Sequence, residues 1–266
     1  MKKIFLALAA VAIAFTVSAQ YKAPQVIANG GYHHAASSGA KNTMSALKAA
    51  QKLKIYGTEC DVNLTKDGHV VVIPNGWHPN KKTKLRAIVQ RTTLEKMLTI
   101  PHINGEQIST LEDFLKRVKK KPATKLIIEI QDQASPKHET KLVAKVLDIV
   151  EKAGMQNNVE YVAMHPWTCF QLAKRAPKGS RISYMESKYD PIYVKGMGCT
   201  SVSYNLKTLA KKPHWITMAH KLGLTVNAWT VNKDEHIRWC IQNGVDFITT
   251  DEPALARNIV KDVCYK

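Results

Sequence analysis

The sequence predicts a single α/β domain, a (β/α)8 TIM barrel, and three observations predict it. Eight short runs rich in β-branched and aromatic residues recur along the chain, helical patterns lie between most of them, and no low-complexity linker or internal repeat breaks the alternation. Strands alternating with helices call for a parallel sheet with helices on its outside. After an N-terminal leader is set aside, about 247 residues remain, a length that suits one such barrel.

The leader comes first. Lys2 and Lys3 precede the apolar run Ile4–Val17, and Val17-Ser18-Ala19 offers small residues for cleavage, so residues 1–19 read as a signal peptide and 20–266 as the domain. The run is short for a membrane span, no later segment is apolar enough to be one, and no cysteine follows the cut to carry a lipid. The expected location is the periplasm or the cell exterior.

The expected strands are Gln25–Ala28, Gly57–Val62, Lys125–Ile130, Glu160–Ala163, Arg181–Tyr184, Ser201–Tyr204, Thr225–Ala228 and Phe247–Thr249. Between them fall helices over Thr43–Leu53, Leu111–Lys119, Pro136–Ala153, Pro166–Arg175, Pro213–Leu222 and Lys233–Asn243, and Pro253–Val263 closes the chain. Ser109 with Glu112 has capping-box spacing, and Ser135-Pro136 sets an N-cap before a proline at the first helical position. Gly154, Gly223 and Gly244 stand where helices should stop. Pro74–Thr92 is a long connection carrying Lys81, Lys82, Lys84, Arg86 and Arg91; connections of that length are functional or disordered.

The second strand holds the most informative pattern. Glu59 and Asp61 are two apart in an apolar run, and residues i and i+2 of a strand share a face. Two carboxylates on an inward face repel and resist desolvation; a hard divalent cation with oxygen ligands removes both problems. An exposed edge strand with its acids in water fits the same two residues, and the pair alone does not separate these readings.

The formal charge is +18, or +16 once Lys2 and Lys3 are lost. The surplus favours anionic partners such as phosphates, acidic headgroups or acidic glycans. The basic residues are spread along the chain without a nucleic-acid motif, which argues against nucleic-acid binding. Cys60, Cys169, Cys199, Cys240 and Cys264 are odd in number and lack C-x-x-C spacing, so at least one is unpaired in a monomer and a zinc site is not indicated.

Three segments carry a resemblance to the glycerophosphodiester phosphodiesterase family. Gly57-Thr58-Glu59-Cys60-Asp61-Val62-Asn63-Leu64-Thr65-Lys66-Asp67-Gly68 looks like that family's second strand and hairpin. Leu126-Ile127-Ile128-Glu129-Ile130 looks like the strand that supplies a third acid. Gly223–Asn232 and Gly244–Pro253 look like its last two barrel units. The resemblance implies a divalent cation, Ca²⁺ or Mg²⁺, held by Glu59, Asp61 and Glu129. It also implies phosphodiester hydrolysis in lipid metabolism and a small anionic or polyol ligand: a glycerophosphodiester, a phospholipid headgroup or a glycan.

The family's catalytic positions are altered here. Its first strand ends in His-Arg-Gly where this chain has Asn29-Gly30-Gly31, and its later His-Asp pair corresponds to Pro74-Asn75. Phosphodiester cleavage needs a nucleophile deprotonated and a leaving alkoxide protonated, work suited to imidazole. Asparagine does not titrate in this range and proline has no proton to give. The phosphate-clamping arginine is replaced by Gly30, Pro-Glu-Asn-Thr reads Ala40-Lys41-Asn42-Thr43, and the lysine after the third acid is Gln131. The resemblance therefore implies a member without both catalytic histidines, a pseudoenzyme keeping its binding mouth. The competing expectation is an active enzyme whose glycine-bearing loops return His33, His34 or His78 to the site. Trp229, Trp77, His165 and Gln131 are further expected ligand contacts. No role is assigned to His69, His102, His138, His214, His220 or His236.

Overall fold

Each of the eight expected strands forms within two residues of its expected bounds in the computed structural model, which describes residues 22–34, 39–74 and 88–265. In chain order the elements are β1 (Gln25–Ala28), α1 (Met44–Lys52), β2 (Gly57–Leu64), β3 (Val70–Val72), α2 (Leu94–Leu98), α3 (Leu111–Lys119) and β4 (Lys125–Ile130). They continue through α4 (Pro136–Ala153), β5 (Val159–Ala163), α5 (Pro166–Arg175), β6 (Ile182–Tyr184), α6 (Pro191–Gly196), β7 (Ser201–Asn205) and α7 (Leu206–Lys211). The last are α8 (His214–Lys221), β8 (Thr225–Trp229), α9 (Asp234–Gln242), β9 (Phe247–Thr250) and α10 (Pro253–Cys264).

Eight of these strands are parallel and close on themselves. The ring runs β1-β9-β8-β7-β6-β5-β4-β2, and β1 pairs with β2 to seal it through Ile27 opposite Gly57. Only β3 is antiparallel, folding back on β2 so that Val62 faces Val72. Strand residues pointing outward, such as Val62, Ile128, Tyr161, Val202 and Ile248, pack with the helices in the main core. Ile27, Ile127, Val162 and Phe247 point inward and make a small apolar cluster inside the ring. The other side of the interior is hydroxyl- and amide-lined: Asn227 Nδ2 donates to Ser203 Oγ at 2.7 Å, and Thr249 Oγ1 donates to Asn227 Oδ1 at 3.1 Å.

Local chemistry sets most boundaries as expected. Thr43 caps α1 by accepting from Ala46 N, Ser135 caps α4 ahead of Pro136, and Gly154 ends α4 in the left-handed region at φ 65°. The capping box of α3 sits one residue later than expected, on Thr110 and Asp113. Ser109 is held in extended pairing instead, its carbonyl accepting from Val72 N at 2.9 Å. Helices α2, α6 and α7, of 5, 6 and 6 residues, are too short to show a periodic apolar face. Residues 75–87, which hold Asn75, Trp77, His78 and most of the basic connection, lie outside the described residues, as do residues 1–21.

The floor of the barrel, at the N-terminal ends of the strands, is an ionic plug. Arg181 Nη1 donates to Glu160 Oε2 at 2.5 Å, Lys125 lies 3.3 Å from the same carboxylate, and the Tyr56 hydroxyl donates to it too. The Arg181 guanidinium also stacks on Phe247 at 3.6 Å. A buried charge of this kind is tolerated only when it is paired and hydrogen-bonded. No helix among the described residues is long and apolar enough to cross a membrane.

Candidate functional site

The parallel register of β2 on β4 places Asp61 directly beside Glu129. Glu59, two residues earlier on β2, faces the same interior. The three side chains each present a carboxylate oxygen within 4.8 Å of the others. This is the edge-or-interior question resolved: Glu59 and Glu129 are buried, and Asp61 is half-buried beside them.

The surrounding groups orient these acids. Gly30 N donates to Glu59 Oε2 at 2.7 Å. Asn42 holds Asp61 from two sides, its Nδ2 donating to Oδ2 at 2.6 Å while its Oδ1 accepts from Asp61 N at 2.9 Å. The Gln131 amide spans the pair, donating to Asp61 Oδ1 at 2.7 Å and Glu129 Oε1 at 2.6 Å. Glu59 Oε1 is buried and has no hydrogen-bond partner. Burial first, and then the neighbouring carboxylates, push Glu59 and Glu129 well above the usual carboxylate range. Burial raises Asp61 as well, with Asn42 and Lys41 working the other way. Three clustered carboxylates met by neutral N–H donors, with no ion pair to a Lys, Arg or His among the described residues, fit a hard divalent cation. They do not fit a structural ion-pair network, which brings its own cation to each acid.

The acids stand at the open end of a cavity of about 230 Å³ inside the barrel. Its walls are Asn29, Gln131, Trp229 and Thr230 near the mouth, Ile27, Ile127, Val162 and Met185 on one side, and Ser183, Ser203, Asn227 and Thr249 on the other. Arg181 closes the bottom. Trp229 is held by its Nε1, which donates to Ser203 O at 3.0 Å.

At the rim, Asp251 collects three donors: Lys41 Nζ at 2.6 Å, Asn29 Nδ2 at 2.9 Å and Asn232 Nδ2 at 2.8 Å. Burial alone would raise this carboxyl, but Lys41 and Asn232 hold it below the usual range. The space above Gly30, where a side chain would project, is filled by the stem of Lys41.

The structure thus brings Asn29, Glu59, Asp61, Glu129, Gln131 and Trp229 to one cavity. Among the described residues no histidine lines the cavity. His34 Nδ1 pairs with Glu252 Oε1 at 2.6 Å on the surface. His33 is half-buried with an unpartnered Nδ1, and burial followed by the Lys41 charge lowers its pKa. His165, expected as a ligand contact, turns to Glu139 Oε2 at 3.0 Å; it is the N-cap residue of α5, two residues after β5 ends. Pro74 is half-buried at the end of the β3 segment and does not line the cavity. The five thiols are all unpaired, four of them buried.

Sequence reasoning missed the residues that act through shape rather than through a motif. Asn227 was legible in principle, since it shares a face with Trp229 by strand alternation. Asp251 and Asn232 follow the paired strands β8 and β9, and Asp251 meets Asn29 and Lys41 only because β9 pairs with β1.

A closed parallel barrel whose strand ends gather acids around a polar cavity is an enzyme-type α/β barrel, with its site at the C-terminal face. The chain matches the glycerophosphoryl diester phosphodiesterase family over residues 29–255, and it belongs to that family. A glycerophosphodiester phosphodiesterase of Caldanaerobacter subterraneus subsp. tengcongensis is 25% identical to it over 231 residues, covering 83% of this chain and 92% of that relative. The crystal structure of a glycerophosphodiester phosphodiesterase from Parabacteroides distasonis superposes with a TM-score of 0.84 at 30% identity, over 91% of this chain and 98% of that one. An Oleispira antarctica phosphodiesterase solved with its product sn-glycerol-3-phosphate shares the fold at a TM-score of 0.78 and 17% identity, over 90% of this chain and 97% of that one.

Proposed function

We propose that this chain is an exported family member that has lost ordinary phosphodiesterase turnover and uses its cavity to bind a small phosphate-bearing or polyol ligand. One observation carries the reading: the three acids converge on the cavity, while Asn29 stands where the family has a catalytic histidine and no described histidine lines the walls. Removing a general acid or base costs about 10²–10⁴-fold in rate, and here both positions are altered. Residues 1–19 serve as the export signal and 20–266 as the secreted or periplasmic domain.

In this reading Glu59, Asp61 and Glu129 hold a divalent cation, Ca²⁺ or Mg²⁺. Such a cation supplies positive charge for phosphate or hydroxyl oxygens when bound. Gln131 and Asn42 keep the acids aimed at the cavity, and Trp229 provides a flat apolar wall suited to a glycerol or sugar face. The ligand class agrees with the sn-glycerol-3-phosphate bound by the Oleispira protein.

The test is turnover of glycerophosphocholine and of an aryl phosphodiester with Ca²⁺, Mg²⁺ or chelator, run beside a thermal-shift assay. The expected result is no turnover together with cation-dependent stabilisation. At a hundredfold excess over Kd that stabilisation is about 2.7 kcal/mol, on the order of 5–10 °C for a chain of this size. Metal-dependent turnover at an ordinary enzymatic rate defeats the proposal. It would point to the competing reading, in which His33, His34 or His78 takes part.

A further inference from the structure

Two neighbouring helices begin at the same end of the barrel as the cavity mouth, and both expose large apolar side chains there. On α5, Trp167 is 40% and Phe170 47% exposed; on α6, Ile192 is 60% and Tyr193 52% exposed. The two helices follow the paired strands β5 and β6, and the turn after α6 approaches α5 further down, where a side chain at Gly198 would meet Ala173 Cβ at 2.8 Å. Single exposed apolar residues are ordinary, but several gathered at one edge mark a contact surface.

The aromatic groups are ordered rather than loose. Trp167 and Phe170 rings lie 5.9 Å apart, and Trp167 Nε1 donates to Thr140 Oγ1 at 3.0 Å, which leaves the ring projecting while its polar atom is satisfied. Tyr193 stacks on Tyr189 at 4.3 Å with an interplanar angle of 14°. Lys188 in turn sits over Tyr189, 5.3 Å from the ring centroid. Lys174, one helical turn after Phe170, and Lys195, three residues after Ile192, are exposed beside them.

We propose that this edge is a docking surface for an anionic phospholipid membrane, which seats the cavity mouth against the headgroups. The composition fits that occupant better than a protein partner. Trp, Tyr, Phe and Ile interleaved with lysines match a layer that is apolar at depth and negatively charged at its surface. The charge of +16 left once Lys2 and Lys3 are lost adds attraction to an anionic bilayer. The surface is separate from the cavity, so the proposal stands whether or not the cavity turns over a diester.

The experiment is co-sedimentation of the purified protein with vesicles of phosphatidylcholine alone or mixed with phosphatidylglycerol. The parent is compared with Trp167→Ser/Phe170→Ser/Ile192→Ser and with Lys188→Glu/Lys195→Glu. The triple variant should bind mixed vesicles about tenfold more weakly or worse, and the lysine variant should lose its preference for phosphatidylglycerol. Brominated lipid should quench the parent's tryptophan fluorescence, and Trp167→Phe should remove most of that quenching; this arm holds even if the triple variant misfolds. Equal binding by parent and triple variant overturns the proposal, as does a parent that stays in solution with both vesicle types. Loss of self-association in the triple variant, without any change in vesicle binding, overturns it in favour of a protein contact.

Discussion

Lys41 Nζ lies 2.6 Å from Asp251 Oδ1, and the stem that carries it there occupies the volume above Gly30, where an added Cβ would fall 2.8 Å from Lys41 Cβ. The glycine and the lysine are therefore coupled: one is small and left-handed so that the other can cross it. Gly30 has φ +64°, which a side chain adopts at a cost of about 1–2 kcal/mol.

Gly30→Arg should accordingly destabilise the fold by about 2–4 kcal/mol, combining backbone strain with overpacking. Adding Lys41→Ala should return the part of the steric cost due to the stem beyond Cβ and leave the Cβ contact and the backbone part. Urea unfolding of the two single variants and the double variant measures this directly. Additive effects would show that the stem does not obstruct position 30.

Glu59→Gln addresses the acid cluster. The buried carboxylate loses a charge it cannot solvate, so in chelator the variant should unfold at a higher temperature than the parent, by an amount on the order of 1–2 kcal/mol. With Ca²⁺ or Mg²⁺ the order should reverse, because the variant gains nothing from the cation. A variant less stable than the parent in chelator would mean that Glu59 is a structural acid.

The barrel floor offers a separate stability test. Glu160→Gln leaves the Arg181 guanidinium, 14% exposed, without its anion, and breaking a buried pair this way costs about 3–5 kcal/mol. Glu160→Gln with Arg181→Met should cost less than Glu160→Gln alone. Denaturant midpoints for the two variants decide it.

Asp246 sets a pH dependence. Burial alone would raise its pKa, but Lys22 at 2.6 Å, Val226 N at 2.9 Å and His220 at 2.8 Å together hold it below the usual value. A depressed carboxylate contributes stability that is complete above its unfolded pKa, about 4, and is lost as pH falls through the folded value. Asp246→Asn should lower stability at neutral pH and flatten its decline below about pH 4, as followed by thermal melts across that range.

Much of the site could be read from local pattern. The i, i+2 spacing of Glu59 and Asp61 put both acids on one face of a strand, and Asn29 and Pro74 stand where the family resemblance places histidines. His165 misled because strand-end position says nothing about where a side chain turns; the start of α5 carries it outward to Glu139. Ser109 misled in the same way, since its backbone was already committed to Val72.

The sequence by itself determined the barrel, the family resemblance and the identity of the acids, because strand alternation, helix caps and residue type are local properties. Tertiary structure alone decided which groups meet. Asp61 reaches Glu129 through the register of two strands, and Asn29 and Lys41 reach Asp251 because the last strand closes on the first. His33 and His34 are left off the cavity wall by the same closure. Asp61 and Glu129 are 68 positions apart and Asn29 and Asp251 are 222 apart, and no short-range pattern encodes such contacts.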